Sequence, residues 1–236
     1  MRLMAWNCRV GAFKRKAART APFNPDVLVV PEVERLDGEL FLDGERQPSF
    51  MDRVAKSDWP RGIGVFSYTG TELARAFDDL GLVSGFAPFN AKRGATAFNV
   101  VAVWTFKTDV AATSYRQAHE GIQRWSDWIR QAPTVILGDF NIAANFEGGK
   151  AWRDLLNLMT PLGLVSAYHS FHRESPGEES RPTYFHRGSD SSTWHIDYCF
   201  VPSAWASRIT DVHVGRHEQW RDVSDHVPLI VDLDLD

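Results

Sequence analysis

The feature that most limits how this chain folds is the segment at residues 134–141, which reads TVILGDFN. Its apolar run shows no polar alternation, and this pattern predicts a strand buried on both faces. Gly138 then allows a sharp backbone turn, and an extended chain points Asp139 and Asn141 the same way. The segment therefore predicts an acid and an amide at the carboxyl end of a buried strand, although an ordinary Asx turn is an alternative interpretation.

Two further predicted strands also end in polar residues. Residues 2–6 predict a short first strand that ends at Asn7. The apolar run within residues 26–31 predicts a second buried strand, and Glu32 follows it directly. Together with Asp139, these residues place three polar side chains at strand ends.

The carboxyl-terminal region adds an acid in an unusual position. Residues 193–201 read as an apolar strand, yet Asp197 lies within it, and an acid on a covered face must be paired or hydrogen-bonded. Asp225 and His226 stand just before a last strand at residues 227–235. We therefore expect Asp197 to hold His226 as a dyad, which would raise the basicity of the imidazole and select its tautomer.

The residues at these strand ends form a donor set rich in oxygen. Ligands of this type, without cysteine and with few histidines, favour Mg²⁺ or Mn²⁺ over zinc or copper. Such a cation neutralises phosphoryl oxygens, while an acid or an imidazole orients or deprotonates the attacking water. The residues concerned are Asn7, Glu32, Asp139, Asn141, Asp197, Asp225 and His226.

Helix formers and apolar spacing predict several helices. Residues 116–131 and 151–160 carry apolar residues at helical spacing. Residues 11–20 are expected to form a basic helix near the end of the first strand, where a solvated basic face is an equally good interpretation. A further helix is expected around residues 51–56, and residues 171–192 are expected to be an exposed loop with a short extended piece.

Composition limits the class of protein. With 236 residues, 44% of them hydrophobic and 24% charged, the chain is expected to form one domain over residues 1–236. Its formal net charge of −4 argues against non-specific coating of nucleic acid. Cys8 and Cys199 lie in apolar segments and are expected to be buried thiols. No signal peptide or membrane span is evident, so we expect a cytoplasmic monomer.

In order along the chain, these motifs resemble the endonuclease/exonuclease/phosphatase superfamily, whose fold is also called DNase I-like or exonuclease III-like. The matching positions cover nearly the whole chain, and any one of them alone is weak evidence. The resemblance implies an α/β fold, a four-layered α/β/β/α sandwich of two packed mixed sheets flanked by helices. The matching residues are Trp6, Asn7, Glu32, Tyr115, Gly138, Asp139, Phe140, Asn141, Ile196, Asp197, Tyr198, Ser224, Asp225 and His226.

The resemblance also implies how a metal ion is held. Glu32 would be the principal ligand, Asn7 would lie near the same ion, and Asp225 would belong to the metal cluster. Two departures from the family pattern affect this region. Arg9 stands where the exonuclease III branch often carries an acid, and Pro31 replaces a glutamine that commonly precedes the metal-binding glutamate.

The catalytic roles follow from the same resemblance. Asp139 would orient or deprotonate the nucleophilic water, and Asn141 would hold the phosphate. His226, supported by Asp197, would contact the scissile phosphate as a hydrogen-bond donor or as the base. Tyr115 would match the tyrosine that contacts phosphate in the exonuclease III branch, although a core-packing tyrosine is an alternative.

Three kinds of substrate or partner are compatible with these motifs. A nuclease acting on DNA or RNA would hold the backbone with basic residues, and tryptophans would stack on bases. A small-molecule phosphoesterase would use the same catalytic groups with a narrower opening, and a catalytically silent binding module is a third alternative. The basic residues expected to bind the nucleic acid are Arg9, Lys14, Lys16, Lys92 and Arg93.

Overall fold

The structure is a computed structural model that describes residues 1–36, 47–55, 59–68, 70–77, 85–106 and 114–235. The strands are β1 (Arg2–Ala5), β2 (Val27–Val33), β3 (Phe50–Val54), β4 (Gly62–Ser67), β5 (Glu72–Arg75), β6 (Phe86–Arg93), β7 (Thr96–Trp104), β8 (Thr134–Asp139), β9 (Leu164–Ser166), β10 (Tyr184–Phe185), β11 (Thr193–Trp194), β12 (Asp197–Pro202), β13 (Ile209–Val214) and β14 (Leu229–Leu233). The helices are α1 (Ser114–Gln131), α2 (Lys150–Met159), α3 (Ala167–His172) and α4 (His217–Trp220).

Twelve of these strands form two six-stranded mixed sheets. The first sheet has the order β13-β14-β1-β2-β4-β3, and the second has the order β5-β6-β7-β8-β12-β9. In each sheet one pair of neighbours is parallel, β1 with β2 and β7 with β8. Because β1 pairs with β14, the first and last strands of the chain lie side by side in one sheet.

Alternating apolar side chains fill the space between the two sheets. Leu3, Val29, Val100, Leu137 and Val231 are all fully or almost fully buried in one contiguous core. A second apolar cluster covers the outer face of the second sheet, where α1 and α2 pack against β7, β8 and β12. Helices α1 and α2 therefore form the outer layer on this side of an α/β sandwich.

The outer face of the first sheet is covered differently from the prediction. Residues 11–20 were expected to form a helix, but the structure has 3₁₀ turns at Phe13–Arg15 and Ala17–Arg19. The backbone from Arg9 to Ala12 has positive φ angles, which an α-helix excludes. Tertiary contacts thus override a local preference for helix.

The predicted helix at residues 51–56 is also wrong. Residues 50–54 form edge strand β3, which pairs antiparallel with β4, and residue 56 lies outside the described residues. Cys8 and Cys199 are free, buried thiols, as expected, and burial raises the pKa of the Cys8 thiol to about 12. None of the described helices has the length and apolar character needed to cross a membrane.

Candidate active site

Strand ends from both sheets converge at one edge of the sandwich. In the first sheet, β1 and β2 run parallel and carry Asn7 and Glu32 at their carboxyl ends. In the second sheet, β8 ends at Asp139, which stands directly opposite Asp197, the first residue of antiparallel strand β12. His226 precedes β14, which runs antiparallel to β1. The topology therefore brings together residues separated by more than two hundred positions in the sequence.

Gly138 fits the role expected for it at the end of β8. Its φ angle is +140°, and a Cβ at this position would stand 2.0 Å from the Val103 carbonyl oxygen on β7. Any side chain here would therefore push β7 and β8 apart. The close approach sets the position of Asp139, whose carbonyl oxygen accepts a hydrogen bond from the Thr105 N–H.

Three ionisable side chains form what we call the buried half of the site: Asp139, Asp197 and His226. Asp197 Oδ2 lies 2.8 Å from His226 Nδ1, and His226 Nε2 lies 3.9 Å from Asp139 Oδ2. All three residues are buried, with His226 the most exposed at 5%. The backbone N–H of Asp197 also donates to Thr183 Oγ1, so the strand start is fixed.

The buried half holds His226 in its charged form. Burial lowers the pKa of the imidazole, but the carboxylates of Asp197 and Asp139 outweigh that effect and raise it to about 9. The Asp197 contact at Nδ1 leaves Nε2 directed towards Asp139. A protonated imidazole is a hydrogen-bond donor at both nitrogens, so at neutral pH it acts as a donor rather than a base.

Burial acts on Asp139 in the opposite direction, because it raises the pKa of a carboxyl group. Complete burial and the nearby Asp197 carboxylate raise its pKa to about 7, while His226 and the amide of Asn7 limit the rise. Its oxygens accept hydrogen bonds from Asn7 Nδ2 at 2.8 Å and from the backbone N–H of Asn141 at 2.9 Å. A carboxylate with a pKa close to neutrality is well suited to take a proton from water.

What we call the exposed half of the site consists of four other side chains, those of Glu32, Arg61, Arg9 and Asp225. Glu32 Oε1 accepts a hydrogen bond from Asn7 Nδ2 at 3.2 Å, so this amide links Glu32 to Asp139. Glu32 Oε2 is paired with the Arg61 guanidinium. Asp225 Oδ2 lies 3.4 Å from Arg9 Nε, and the Arg9 side chain is 50% exposed.

The backbone at Glu32 is strained in a way that fixes its side chain. Its φ angle is +64°, and the pairing of β2 with β4 shifts register between Val30 and Val33. A left-handed residue at a bulge in a buried strand carries a cost of about 1–3 kcal/mol and is typical of functional sites. The bulge turns Glu32 towards Asn7 and the end of β8.

A second strained segment, the loop at residues 9–12, closes over Glu32. The backbone N–H of Val10 donates to Glu32 Oε2 at 2.8 Å, although Val10 itself has a φ angle of +55°. Lys16 stabilises the loop by donating from Nζ to the carbonyl oxygens of Cys8, Arg9 and Gly11. Lys16 was expected to bind a nucleic-acid backbone, but the structure turns its ammonium group inwards to the loop.

The site offers suitable donors for a hard divalent cation. Asp139, Asp197 and His226 have potential ligand atoms within 4.8 Å of one another. However, the charged imidazole is a poor ligand, because its nitrogens carry protons at neutral pH. Glu32 and Asp139, joined through Asn7, supply carboxylate oxygens without that conflict, and Asp197 Oδ1 is buried without a hydrogen-bond partner among the described residues.

The structure brings most of the predicted site residues together. Asn7, Glu32, Asp139, Asp197 and His226 form a continuous series of contacts. Asn141 also lies at the site, where its Nδ2 donates to Asp139 Oδ2 at 3.0 Å and to the Thr105 carbonyl oxygen at 2.6 Å. Asp225 and Arg9 face each other beside His226. Lys14 is half-buried, and its backbone N–H donates to Glu34.

Two predicted basic residues lie elsewhere. Arg93 pairs with Asp26 at 3.1 Å, and Asp26 precedes β2, whereas Glu32 stands at the far end of that strand. Asp26 and Glu32 are six positions apart along an extended strand, which corresponds to about 20 Å. Lys92 is exposed beside Glu72 on the neighbouring strand. The structure therefore separates Lys92 and Arg93 from the candidate site, a distinction that charge in the sequence does not reveal.

Tyr115 lies in the first turn of α1. Its ring packs near His119, with centroids 6.0 Å apart, and against the helical core cluster. Among the described residues, no hydrogen bond or ion pair joins it to Asp139, Asn141 or His226. Its role as a phosphate contact stays a prediction.

Sequence reasoning missed the residues that surround the cluster. Tyr184 on β10 lies 4.8 Å from His226 between ring centroids, and it stacks with Trp194 on β11 at 6.1 Å. Burial raises the pKa of the Tyr184 hydroxyl, and the carboxylates of Asp225 and Asp139 raise it further. Residues 171–192 were expected to be an exposed loop with a short extended piece, and only the fold shows that strand β10 within this segment contacts His226.

The chain belongs to the endonuclease/exonuclease/phosphatase family, whose model matches residues 4–226. Among curated proteins, none matches this chain significantly. The match between family and fold agrees with the site described above, because the family comprises hydrolases that cleave phosphate esters with a bound metal ion.

Solved structures confirm the DNase I-like fold. The endonuclease domain of TRAS1, a telomere-specific non-LTR retrotransposon, superposes with a TM-score of 0.71 at 15% identity, covering 99% of this chain and 98% of that one. The 3' phosphatase NExo from Neisseria, bound to a product DNA hairpin, gives 0.65 at 18% identity, with 99% of each chain covered. Truncated TDP2 from Caenorhabditis elegans gives 0.71 at 14% identity, covering 98% and 96%.

Proposed function

We propose that this chain is a divalent-metal-dependent phosphodiester hydrolase of the nuclease type, acting on DNA or RNA. The observation that carries the proposal is the continuous series of contacts from Asp197 through His226, Asp139 and Asn7 to Glu32. A buried acid with a raised pKa, a charged imidazole and a partly buried carboxylate are groups that can promote the attack of water on a phosphodiester.

Two residues of the buried half have different roles, one towards the attacking water and the other towards the phosphate. Asp139, with its pKa near neutrality, takes a proton from the attacking water. His226 donates a charge-assisted hydrogen bond from Nε2 to a phosphate oxygen, and Asp197 holds the ring in position through Nδ1. Asn141 orients Asp139, and its proposed phosphate contact requires Nδ2 to release the Thr105 carbonyl oxygen.

Glu32 and Asn7 would hold a Mg²⁺ or Mn²⁺ ion, with Asp225 close by. When bound, such an ion neutralises charge that develops on the phosphate oxygens. Glu32 is suited to this role because its carboxylate is only partly desolvated and its present partners, Asn7, Val10 and Arg61, are all donors.

Two observations support a nucleic-acid substrate over a small phosphoester. Beside His226, Tyr184 and Trp194 form a stacked aromatic pair, and Phe146, which is 54% exposed, lies next to Trp194. Base stacking on exposed aromatic side chains contributes about 1–3 kcal/mol per base. In addition, NExo is bound to a DNA hairpin, and TRAS1 supplies an endonuclease domain with the same fold.

A panel of substrates tests the proposal. The panel contains nicked and abasic duplex DNA, single-stranded DNA, RNA, bis-p-nitrophenyl phosphate and phosphomonoesters, each with Mg²⁺, Mn²⁺ or chelator. We expect polynucleotide cleavage that chelator abolishes, that Glu32→Gln lowers about 10²–10⁴-fold, and that Lys92→Ala at the opposite end leaves unchanged. Activity on small esters alone would indicate a phosphatase, and inactivity throughout would favour a binding module.

The proposal includes a single domain over residues 1–236. It is supported by the pairing of β1 with β14, because strands from both ends of the chain complete the first sheet. The apolar core between the two sheets likewise combines β1, β2 and β14 with β7, β8 and β12. Neither sheet could be completed by one half of the sequence alone.

A further inference from the structure

Arg61 contacts Glu32 directly, although the family resemblance did not mark it as a site residue. It precedes β4, and its Nη1 contacts Glu32 Oε2. The guanidinium carbon also lies 5.9 Å from the centroid of the Trp104 ring. Trp104 itself stands at the end of β7, in register with Asp139 on β8. Arg61 therefore contacts Glu32 and packs over an aromatic ring from the strand next to Asp139.

The aromatic support for Arg61 is extensive. Trp104 packs against Phe106 with centroids 4.6 Å apart, and Phe106 packs against Trp59 at the same distance. A guanidinium on a tryptophan face keeps its plane fixed while its edge stays available for hydrogen bonds. The Arg61 side chain is 39% exposed, so a ligand reaches it from solvent.

The pairing of Arg61 with Glu32 has a consequence for cation binding. A guanidinium on Glu32 Oε2 neutralises the carboxylate that the proposed function assigns to the metal ion, so Arg61 and a divalent cation compete for one group. The Arg61 side chain is 39% exposed and the Glu32 side chain 18%, so solvent reaches this pair and either group can exchange its partner for another. A guanidinium released from Glu32 would still be held beside the site by Trp104.

We propose that Arg61 is a substrate-binding residue that exchanges the Glu32 carboxylate for a non-bridging oxygen of the substrate phosphodiester when Glu32 holds a divalent cation. The inference rests on the proposed function and extends it, because it couples the binding of the cation to the binding of the phosphodiester. A phosphodiester that binds Arg61 frees Glu32, and a cation on Glu32 frees Arg61. By linkage, each ligand must then tighten the binding of the other by the same factor.

Binding of Mn²⁺ measured by electron paramagnetic resonance tests the coupling without turnover. The phosphodiester probe is dimethyl phosphate, which has no good leaving group. In the wild type, we expect saturating dimethyl phosphate to tighten Mn²⁺ binding about fivefold or more. In Arg61→Ala, Mn²⁺ should bind more tightly than in the wild type without the probe, and the probe should no longer tighten it.

Arg61→Lys is the matched variant, because it keeps the charge and loses the planar fork. Its Mn²⁺ affinity without probe should match the wild type, and its coupling to dimethyl phosphate should be intermediate. Weaker Mn²⁺ binding in Arg61→Ala, or coupling that survives this substitution, would overturn the inference. Failure of the proposed function is distinguishable, because it would show as absent phosphodiester hydrolysis in the wild type.

Discussion

In the buried half of the site, one charged imidazole lies between two carboxylates, and no residue is more than 5% exposed. In the exposed half, Glu32 and Asp225 pair with Arg61 and Arg9, whose side chains are 39% and 50% exposed. Desolvation makes the loss of a partner costly in the first case, while water replaces a lost partner in the second. The buried half therefore provides fixed groups for proton chemistry, and the exposed half provides groups that can exchange partners when a ligand binds.

The largest expected difference between the halves is in stability. His226→Ala leaves Asp139 and Asp197 buried without a cation and should lower the free energy of unfolding by about 3–5 kcal/mol. Glu32→Gln in the exposed half should change it by less than about 1 kcal/mol. Urea denaturation at pH 7 measures both values. Equal losses in the two variants would show that the halves do not differ in this way.

The charge on His226 gives the next prediction. A pKa raised above the ordinary 6.5 to about 9 means that His226 adds stability that is fully present below pH 6.5 and is lost as pH rises through 9. An NMR titration of the metal-free protein should show the imidazole protonated up to about pH 9. In Asp197→Asn the pKa should fall, because the nearest carboxylate is removed while burial remains; an unchanged titration contradicts the assigned pairing.

Lys16 should have a moderate effect on the loop beside Glu32. Lys16→Met keeps the apolar stem but removes the ammonium group from three carbonyl oxygens, and we expect a loss of about 1–2 kcal/mol in the free energy of unfolding. Lys92→Met is the control, with an expected change within about 0.5 kcal/mol. Comparable values for the two lysines would refute the structural role given to Lys16.

The smallest effect is expected at Val10. A β-branched residue at φ +55° is strained, and Val10 is 69% exposed, so little packing offsets the strain. Val10→Asn should raise the free energy of unfolding by about 1 kcal/mol, since asparagine tolerates the left-handed region. Val10→Ala should gain less. A destabilised Val10→Asn would mean that the valine side chain has packing that outweighs its strain.

The buried strand ends could be predicted because their signals are local. The apolar runs before Glu32 and Asp139 indicate buried strands, and the polar residues after them indicate a common edge. The pairing of Asp197 with His226 followed from the cost of an unpaired acid in a strand, and the structure shows that contact at 2.8 Å. Both the strands and this pair can therefore be predicted from the sequence, because burial restricts which residues are tolerated at these positions.

Glu32, Asp225 and Arg9 were expected at the site from the sequence, but Arg61 and the pairings within the exposed half could not be predicted in the same way. Arg61 lies 29 residues from Glu32, and their contact depends on the pairing of β2 with β4. Lys92 and Arg93 are as basic as Arg9, but linear charge does not say which end of a strand faces the site. Lys16 lies in a segment whose sequence predicts a helix, and nothing local in that sequence indicates that its ammonium group binds the loop at residues 9–12.

The steady-state kinetics of Asp139→Asn against Arg9→Ala test the division between the two halves most directly. On the substrate that the panel identifies, Asp139→Asn should lower kcat by about 10²–10⁴-fold with KM changed by less than about threefold. Arg9→Ala should raise KM about three- to tenfold with kcat nearly unchanged. A loss of kcat in Arg9→Ala with normal turnover in Asp139→Asn would contradict the account.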